Sequence, residues 1–288
     1  MFRTSFESYV EKIDAFLECL SWDEGTMGQS MRYSLVGGGK RIRPVLALAA
    51  AEAVGGQADS ILPSACALEL IHTYSLIHDD LPAMDNDDYR RGRLANHKVF
   101  GEGKAILAGD GLLTYAFELI ARPLPVNAER QLRVIQEVAQ AAGPEGMVLG
   151  QVLDLEAEGK TLTLGEIEQI HQHKTGAMLV VSARMGGILG GGTEAQIQAL
   201  TRYAQALGLA FQIKDDILDL EGDSATLGKP AQSDLEQEKS TYPSLLGLAG
   251  AKEELAVKIK EAHEALSVFT QSVDFLHSLA DYIADRMH

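Results

Sequence analysis

The chain has 288 residues, 46% of them apolar, which is enough to bury a sizeable core and excludes a disordered polypeptide. Its 41 acidic against 25 basic residues give a formal charge of −16, a field that repels nucleic acid and anionic lipid. An anionic ligand would therefore need a local basic pocket, and the few places where cations cluster become informative.

The N-terminal stretch MFRTSFESYVEKIDAFLECL mixes charges at helical spacing and has no uninterrupted apolar run, so it does not read as a secretory signal. Helical periodicity predicts elements over 5–20, 42–54, 59–80, 104–121, 128–142, 163–188, 194–220, 251–268 and 271–286. In 59–80 the apolar positions cover a broad face, as in a helix buried on most sides. Thr163 and Glu166 have the spacing of a capping box. The weakly charged run from Met178 to Gly192 is interrupted by Arg184 and is rich in glycine, which fits a buried helix rather than a membrane span. Glycine and proline punctuate the chain at 37–39, 55–56, 123–127, 143–144, 190–192 and 221–234. No stretch shows sustained strand alternation, and no repeat or long linker divides the chain. The expected fold is all-α, one domain over 1–288 built from about ten or more helices. Cys19 and Cys66 sit in apolar periodic stretches without metal or redox spacing; they are expected to be reduced and buried, which suits a cytoplasmic protein without a stable membrane anchor.

Two acidic clusters follow apolar helical runs. The first is His78-Asp79-Asp80-Leu81-Pro82-Ala83-Met84-Asp85 with Asp87 and Asp88; the second is Gln212-Ile213-Lys214-Asp215-Asp216-Ile217-Leu218-Asp219. Asp215 and Asp219 lie one helical turn apart on one face, flanked by Asp216, with Gln212 a turn below. Like charges so placed repel, and burying them costs more, unless a divalent cation intervenes. Hard oxygen donors without His or Cys favour Mg2+, with Mn2+ the alternative, shared between carboxylates and substrate phosphates. In the first cluster Pro82 bars a regular helix, so Asp79 and Asp85 must converge by local distortion.

Cations stand nearby in sequence. Gly37-Gly38-Gly39-Lys40-Arg41-Ile42-Arg43-Pro44 joins a glycine loop to a helix start, a combination suited to phosphate, although it lacks the Walker spacing. Arg90-Arg91-Gly92-Arg93 follows the first aspartates, and guanidinium forks bind diphosphate in bidentate fashion. His72 lies two turns before Asp79 at nearly the same wheel angle.

The ordered set GGGKRIRP, ELIHTYSLIHDDLPAMDNDDYRRG, NHKVFGE, LAGD, HKTG, FQIKDDILD, TLGKP and KSTYP resembles the bacterial short-chain trans-isoprenyl diphosphate synthases, from about residue 37 to 246. The resemblance implies a homodimer of helical bundles, each around a deep central cavity with both Asp-rich motifs at its mouth. It implies that Asp79 and Asp85, with Asp80 nearby, and Asp215 and Asp219, flanked by Asp216, hold three Mg2+ on an allylic diphosphate. Arg90, Lys174, Thr175, Gln212, Lys229 and, more weakly, Lys239 would contact that substrate. Lys40, Arg43, His72 and Arg91 would bind isopentenyl diphosphate. Residues five and four places before the first aspartate, Tyr74 and Ser75, would limit chain length, and an aromatic at the former resembles farnesyl-length enzymes. A straight wheel puts Ser75 more directly below Asp79, so the role of Tyr74 rests on the resemblance. Where the family usually has Lys-Pro-Thr, this chain has Arg93-Leu94-Ala95, which leaves that loop's conformation open. A geranylgeranyl-length synthase shares every diphosphate contact; a class I terpene cyclase would normally lack the second aspartate cluster and needs no GGGKRIRP segment; a non-catalytic partner would carry degenerate motifs.

Overall fold

A computed structural model describes residues 2–221 and 240–286 of the chain. Lys229, Lys239 and the expected loop beyond residue 221 lie outside the described residues. Thirteen α-helices occur among those described: α1 (Phe2–Glu18), α2 (Thr26–Leu35), α3 (Ile42–Ala53), α4 (Leu62–Asp79), α5 (Asn96–Phe100), α6 (Glu102–Ala121), α7 (Ala128–Ala142), α8 (Met147–Ala157), α9 (Leu164–His171), α10 (Ala177–Leu189), α11 (Glu194–Glu221), α12 (Tyr242–Ala265) and α13 (Asp274–Asp285). The all-α expectation holds, and the Thr163–Glu166 capping box forms in both directions at the start of α9.

Four local readings change. The 163–188 segment is α9 and α10 joined through a π-helical turn, Gln172–Gly176, rather than one regular helix. Helices α2 and α8 were not evident from periodicity. The sequence of α2, TMGQSMRYSL, is largely polar, and tertiary hydrogen bonds hold it: buried Ser30 donates to Asn96 at 2.8 Å, and Asn96 returns a bond to the Ser30 carbonyl at 2.9 Å. Helix α8 is short and crosses the π turn so closely that a Cβ on Gly150 would lie 2.1 Å from the Lys174 nitrogen. A small hairpin, β1 (Tyr89–Arg90) with β2 (Arg93–Leu94), turns through Arg91 (φ 53°) and Gly92 (φ 73°), both left-handed as a two-residue hairpin requires. Arg93 stacks 4.1 Å above the Tyr33 ring and Tyr33 Oη donates to the Leu94 carbonyl at 2.8 Å, so the loop lacking the family's proline is fixed by these contacts. Lastly, Cys19 is exposed at the end of α1, whereas Cys66 is buried as expected.

The core forms around α3, α4, α6, α10 and α11. Apolar residues on all sides of α4, including Cys66, Leu68, Leu70 and Ile71, are fully buried, as the broad apolar face of 59–80 required. By length and composition Ala58–Asp79 could cross a membrane, but 67% of that window is buried inside the fold, which makes it a core helix. Small residues let α3 and α10 approach: a Cβ on Gly186 would lie 2.1 Å from the Ala47 carbonyl oxygen. Gly186→Ala should therefore lower stability by about 1–3 kcal/mol despite the better helix propensity of alanine, read as a lower urea midpoint.

Candidate active site

Helix α4 runs to Asp79, and Pro82 prevents its continuation. The chain instead folds back: the Asp85 N–H donates to the Asp79 carbonyl at 2.9 Å, and Met84 and Asn86 donate to the Leu81 carbonyl at 2.9 and 3.1 Å. Asn86 closes the turn at φ 54°, a value that Asn tolerates better than most residues. The Asp79 carboxylate accepts from Gln151 Nε2 at 2.6 Å and lies 3.8 Å from Lys174 Nζ. Burial raises its pKa; Lys174 opposes that rise and Asp85 adds to it. Buried Asp80 accepts from Arg90 Nε at 2.8 Å, and Arg90 Nη2 reaches Asp87 at 3.2 Å. Burial alone would lower the Arg90 pKa, but its bond to Asp80 and the surrounding carboxylates outweigh that and raise it.

On α11, Asp215 pairs with Arg286 Nη2 at 2.7 Å. Asp216 is buried and accepts the Tyr242 N–H at 2.9 Å, placing a carboxylate on the positive end of α12. Gln212 and Asp219 lie on the same helix, both half-buried. Among the described residues, no three Asp, Glu, His or Cys side chains converge as a ready-made ion cage.

Three cavities meet beside these groups. The largest, about 600 Å³, is basic: Lys40, Arg43, His72 and Arg91 line it together, and so does Arg90. The resemblance grouped Arg90 with Lys174, Thr175 and Gln212, which instead line a cavity of about 230 Å³ with Asp215, Asp216 and Asp154. The third, about 350 Å³, is mostly apolar and runs under Asp79 past Tyr74, Ser75, Met84, Met147, Val152 and Leu155. Thr175 lines all three cavities, and Lys174 lines both those holding Asp79 and Asp215. Their placement follows from the π turn, whose wider backbone spacing sits against Gly150 on one side and Gly208 on the other. Tyr74 and Ser75 both face the apolar cavity; Tyr74 packs edge-on to His78 at 5.7 Å, while the Ser75 hydroxyl is returned to the His72 carbonyl at 2.8 Å.

The glycine loop is required by the cations it holds. Gly38 and Gly39 have φ of 92° and 142°, and a Cβ on Gly39 would lie 2.8 Å from the Arg91 guanidinium carbon. Arg91 in turn donates to the Gly38 carbonyl. Arg43 is enclosed; its Nε has no partner among the described residues, and burial pushes its pKa down to about 10. Burial, and then the charges of Arg43 and Arg91, hold His72 well below its ordinary 6.5, so its ring is neutral at pH 7. Lys40 sits 5.9 Å from the Phe211 ring centre; burial lowers its pKa, and neighbouring Arg286 lowers it further.

The polyprenyl synthetase family matches residues 24–276. This chain belongs to that family. A curated relative from Geobacillus stearothermophilus named farnesyl diphosphate synthase is 51% identical, covering 99% of this chain and 94% of its own length. A relative of the same name from Bacillus subtilis is 49% identical, covering 97% and 93%. The solved geranylgeranyl pyrophosphate synthetase of Pyrococcus horikoshii superposes with a TM-score of 0.89 at 34% identity, covering 99% of this chain and 98% of that one.

For this polyprenyl synthetase, sequence reasoning missed several residues beside the site. Gln151 holds Asp79, and Asp154 holds Lys174 at 2.6 Å; the signal was a pair of polar residues three apart in the apolar run MVLGQVLDLEA. Phe211 and Glu69 gave no comparable signal, since a single aromatic or acidic residue in a helix is ordinary. His72 and His171, the latter pushed down to about 4 by burial, are both neutral when folded at pH 7. Unfolding frees them to bind protons near 6.5, so stability should fall as pH drops from about 6.5 towards 4, read as a shrinking urea midpoint. In NMR titration His72 should titrate well below 6.5 in the free protein and move upward when pyrophosphate is added.

Proposed function

We propose that this polyprenyl synthetase is a trans-prenyltransferase that condenses isopentenyl diphosphate with dimethylallyl or geranyl diphosphate to give farnesyl diphosphate. The observation that carries the reading is the meeting, at Thr175, of a cavity lined by Lys40, Arg43, His72 and Arg91, an acidic cavity with Asp215, and an apolar channel under Asp79. The names of the bacterial relatives support the farnesyl product.

The donor set fits a hard divalent cation: oxygen donors dominate, burial of Asp79 disfavours its bare charge, and Asp215 already holds a positive partner. Asp79 and Asp85 on one side, with Asp80 nearby, and Asp215 and Asp219 on the other would hold Mg2+, three ions in our reading, with Asp216 anchoring the second motif to α12. Bound there, such ions supply neutralisation of the negative charge that develops on the departing diphosphate.

The chain's own groups do the rest. Lys174, Thr175 and Gln212, with Lys229 and Lys239, would contact the allylic diphosphate, and positive charge preorganised there favours the transition state over the ground state; Arg90, held by Asp80, stands on the side of the basic cavity. Heterolysis of the allylic C–O bond leaves an allylic cation and free diphosphate. Met84, Met147, Val152 and Leu155 in the apolar channel keep water from that cation. Lys40, Arg43, His72 and Arg91 hold isopentenyl diphosphate so that its double bond attacks the cation, and the released diphosphate takes the proton that is lost. Neutral His72 can donate one hydrogen bond without adding charge to the basic cavity. Growth ends at Tyr74 and Ser75. The whole chain acts as one helical domain and pairs as a homodimer, for which exposed Ile106 and Leu107 on α6 and Leu132 on α7 offer apolar surface.

Incubating the protein with labelled isopentenyl diphosphate, geranyl diphosphate and Mg2+ should yield a C15 product. A C20 product would favour geranylgeranyl diphosphate synthesis, and consumption of the allylic substrate alone would favour a terpene cyclase. Asp79→Ala or Asp215→Ala should lower kcat by at least about 100-fold with an unchanged circular dichroism spectrum; near-normal turnover would overturn the metal assignment. Tyr74→Ala should lengthen the products, as sized by chromatography; an unchanged product would remove Tyr74 from the chain-length role.

A further inference from the structure

We propose that Glu69 is a positioning residue of the basic cavity, its buried carboxylate holding Arg41 and Arg91 together beside Arg43 before any anion arrives. The proposal deepens the reading above, because it rests on that cavity taking a diphosphate. Glu69 is 1% exposed in the middle of α4, where an unpaired charge would be strongly unfavourable. Its Oε1 accepts from Arg41 Nη1 at 2.7 Å and lies 4.0 Å from Arg91 Nη2. Its charge also supports the Arg43 guanidinium, which burial and Arg91 both disfavour.

The three arginines come from two places, the start of α3 and the hairpin turn, and repel one another. Arg41 is the residue before the first turn of α3 and Arg43 lies within that turn, where the helix end is itself positive. Arg91 arrives on the hairpin turn. Guanidinium groups brought together in a poorly solvated cavity repel strongly. Asp14 relieves Arg41 alone, at 2.8 Å from its Nε, and is 43% exposed at the rim. Glu69 reaches the cluster from beneath, one helical turn before His72, and meets both pieces of chain, through Arg41 and Arg91. Its carboxylate is engaged by Arg41 and would repel a diphosphate, so it acts through the arginines rather than on the substrate.

Glu69 thus sets the arrangement of guanidinium groups that a diphosphate meets, and this can be measured. Glu69→Gln keeps the shape and removes the charge. Its melting temperature without ligand should fall by several degrees, and saturating inorganic pyrophosphate should widen the gap from the unaltered protein, because a weaker-binding variant gains less stability from the ligand. The KM for isopentenyl diphosphate should rise about 10-fold, while the allylic KM and kcat stay within about two-fold. Glu69→Gln with Arg91→Gln should melt above Glu69→Gln alone, because the charge balance is restored. Glu69→Asp, which keeps the charge, should recover most of the stability.

A gap in melting temperature that pyrophosphate leaves unchanged or narrows, with an additive double variant and equal effects on both substrates, would reduce Glu69 to a partner of Arg41 and overturn the proposal. Should Glu69→Gln fail to fold, a folded double variant supports the proposal and an unfolded one overturns it. Absence of prenyl product from the unaltered protein would sink the transferase reading, while the ligand-free melting comparison would still decide the role of Glu69.

Discussion

Buried charge of one sign must meet charge of the other, and the interior of this protein is organised by that requirement. The mouth of the cavity carries aspartates that would repel one another. Three of them are partnered from elsewhere in the fold: Asp79 by Gln151 with Lys174 nearby, Asp80 by Arg90, and Asp215 by Arg286. The basic side solves the mirror-image problem with Glu69. Such networks stabilise little relative to an apolar core, because desolvation cancels much of the attraction. Their effect is to leave charges in place and only partly satisfied, ready for a ligand of matching charge.

One helix distributes these charges. Along α4, Glu69 and His72 line the basic cavity, Tyr74 and Ser75 face the apolar channel, and Asp79 sits at its mouth. A helix buried on most sides holds such spacings better than a loop would. Its packing against α3 and α6 therefore bears on function as well as stability. The opposite wall is less regular. There the π turn of Gln172–Gly176 presents Lys174 and Thr175 to neighbouring cavities, a use of distorted helix that recurs at functional sites.

Much of the helical framework was legible because periodicity is local: a buried helix such as α4 or α10 must be apolar on most sides wherever its partners lie. The aspartate and arginine motifs were legible because charged runs beside apolar helices are uncommon without a ligand. Helix α2 was not legible, because its polar sequence is held by Ser30 and Asn96 across a long sequence separation. Nor was the exposure of Cys19, which depends on where α1 ends relative to its neighbours.

The sequence by itself determined the all-helical character, the stop in α4 at Pro82, and the clustering of aspartates and arginines beside apolar helices, since residue type and spacing suffice for these. Tertiary structure alone decided which charges meet: that Arg90 falls to Asp80 and the basic cavity, that Arg286 reaches Asp215, and that Glu69 meets Arg41 and Arg91. The physical reason is range. Periodicity and backbone chemistry act within a few residues, whereas a charge inside a protein responds to whatever the packing of distant helices brings within a few ångströms.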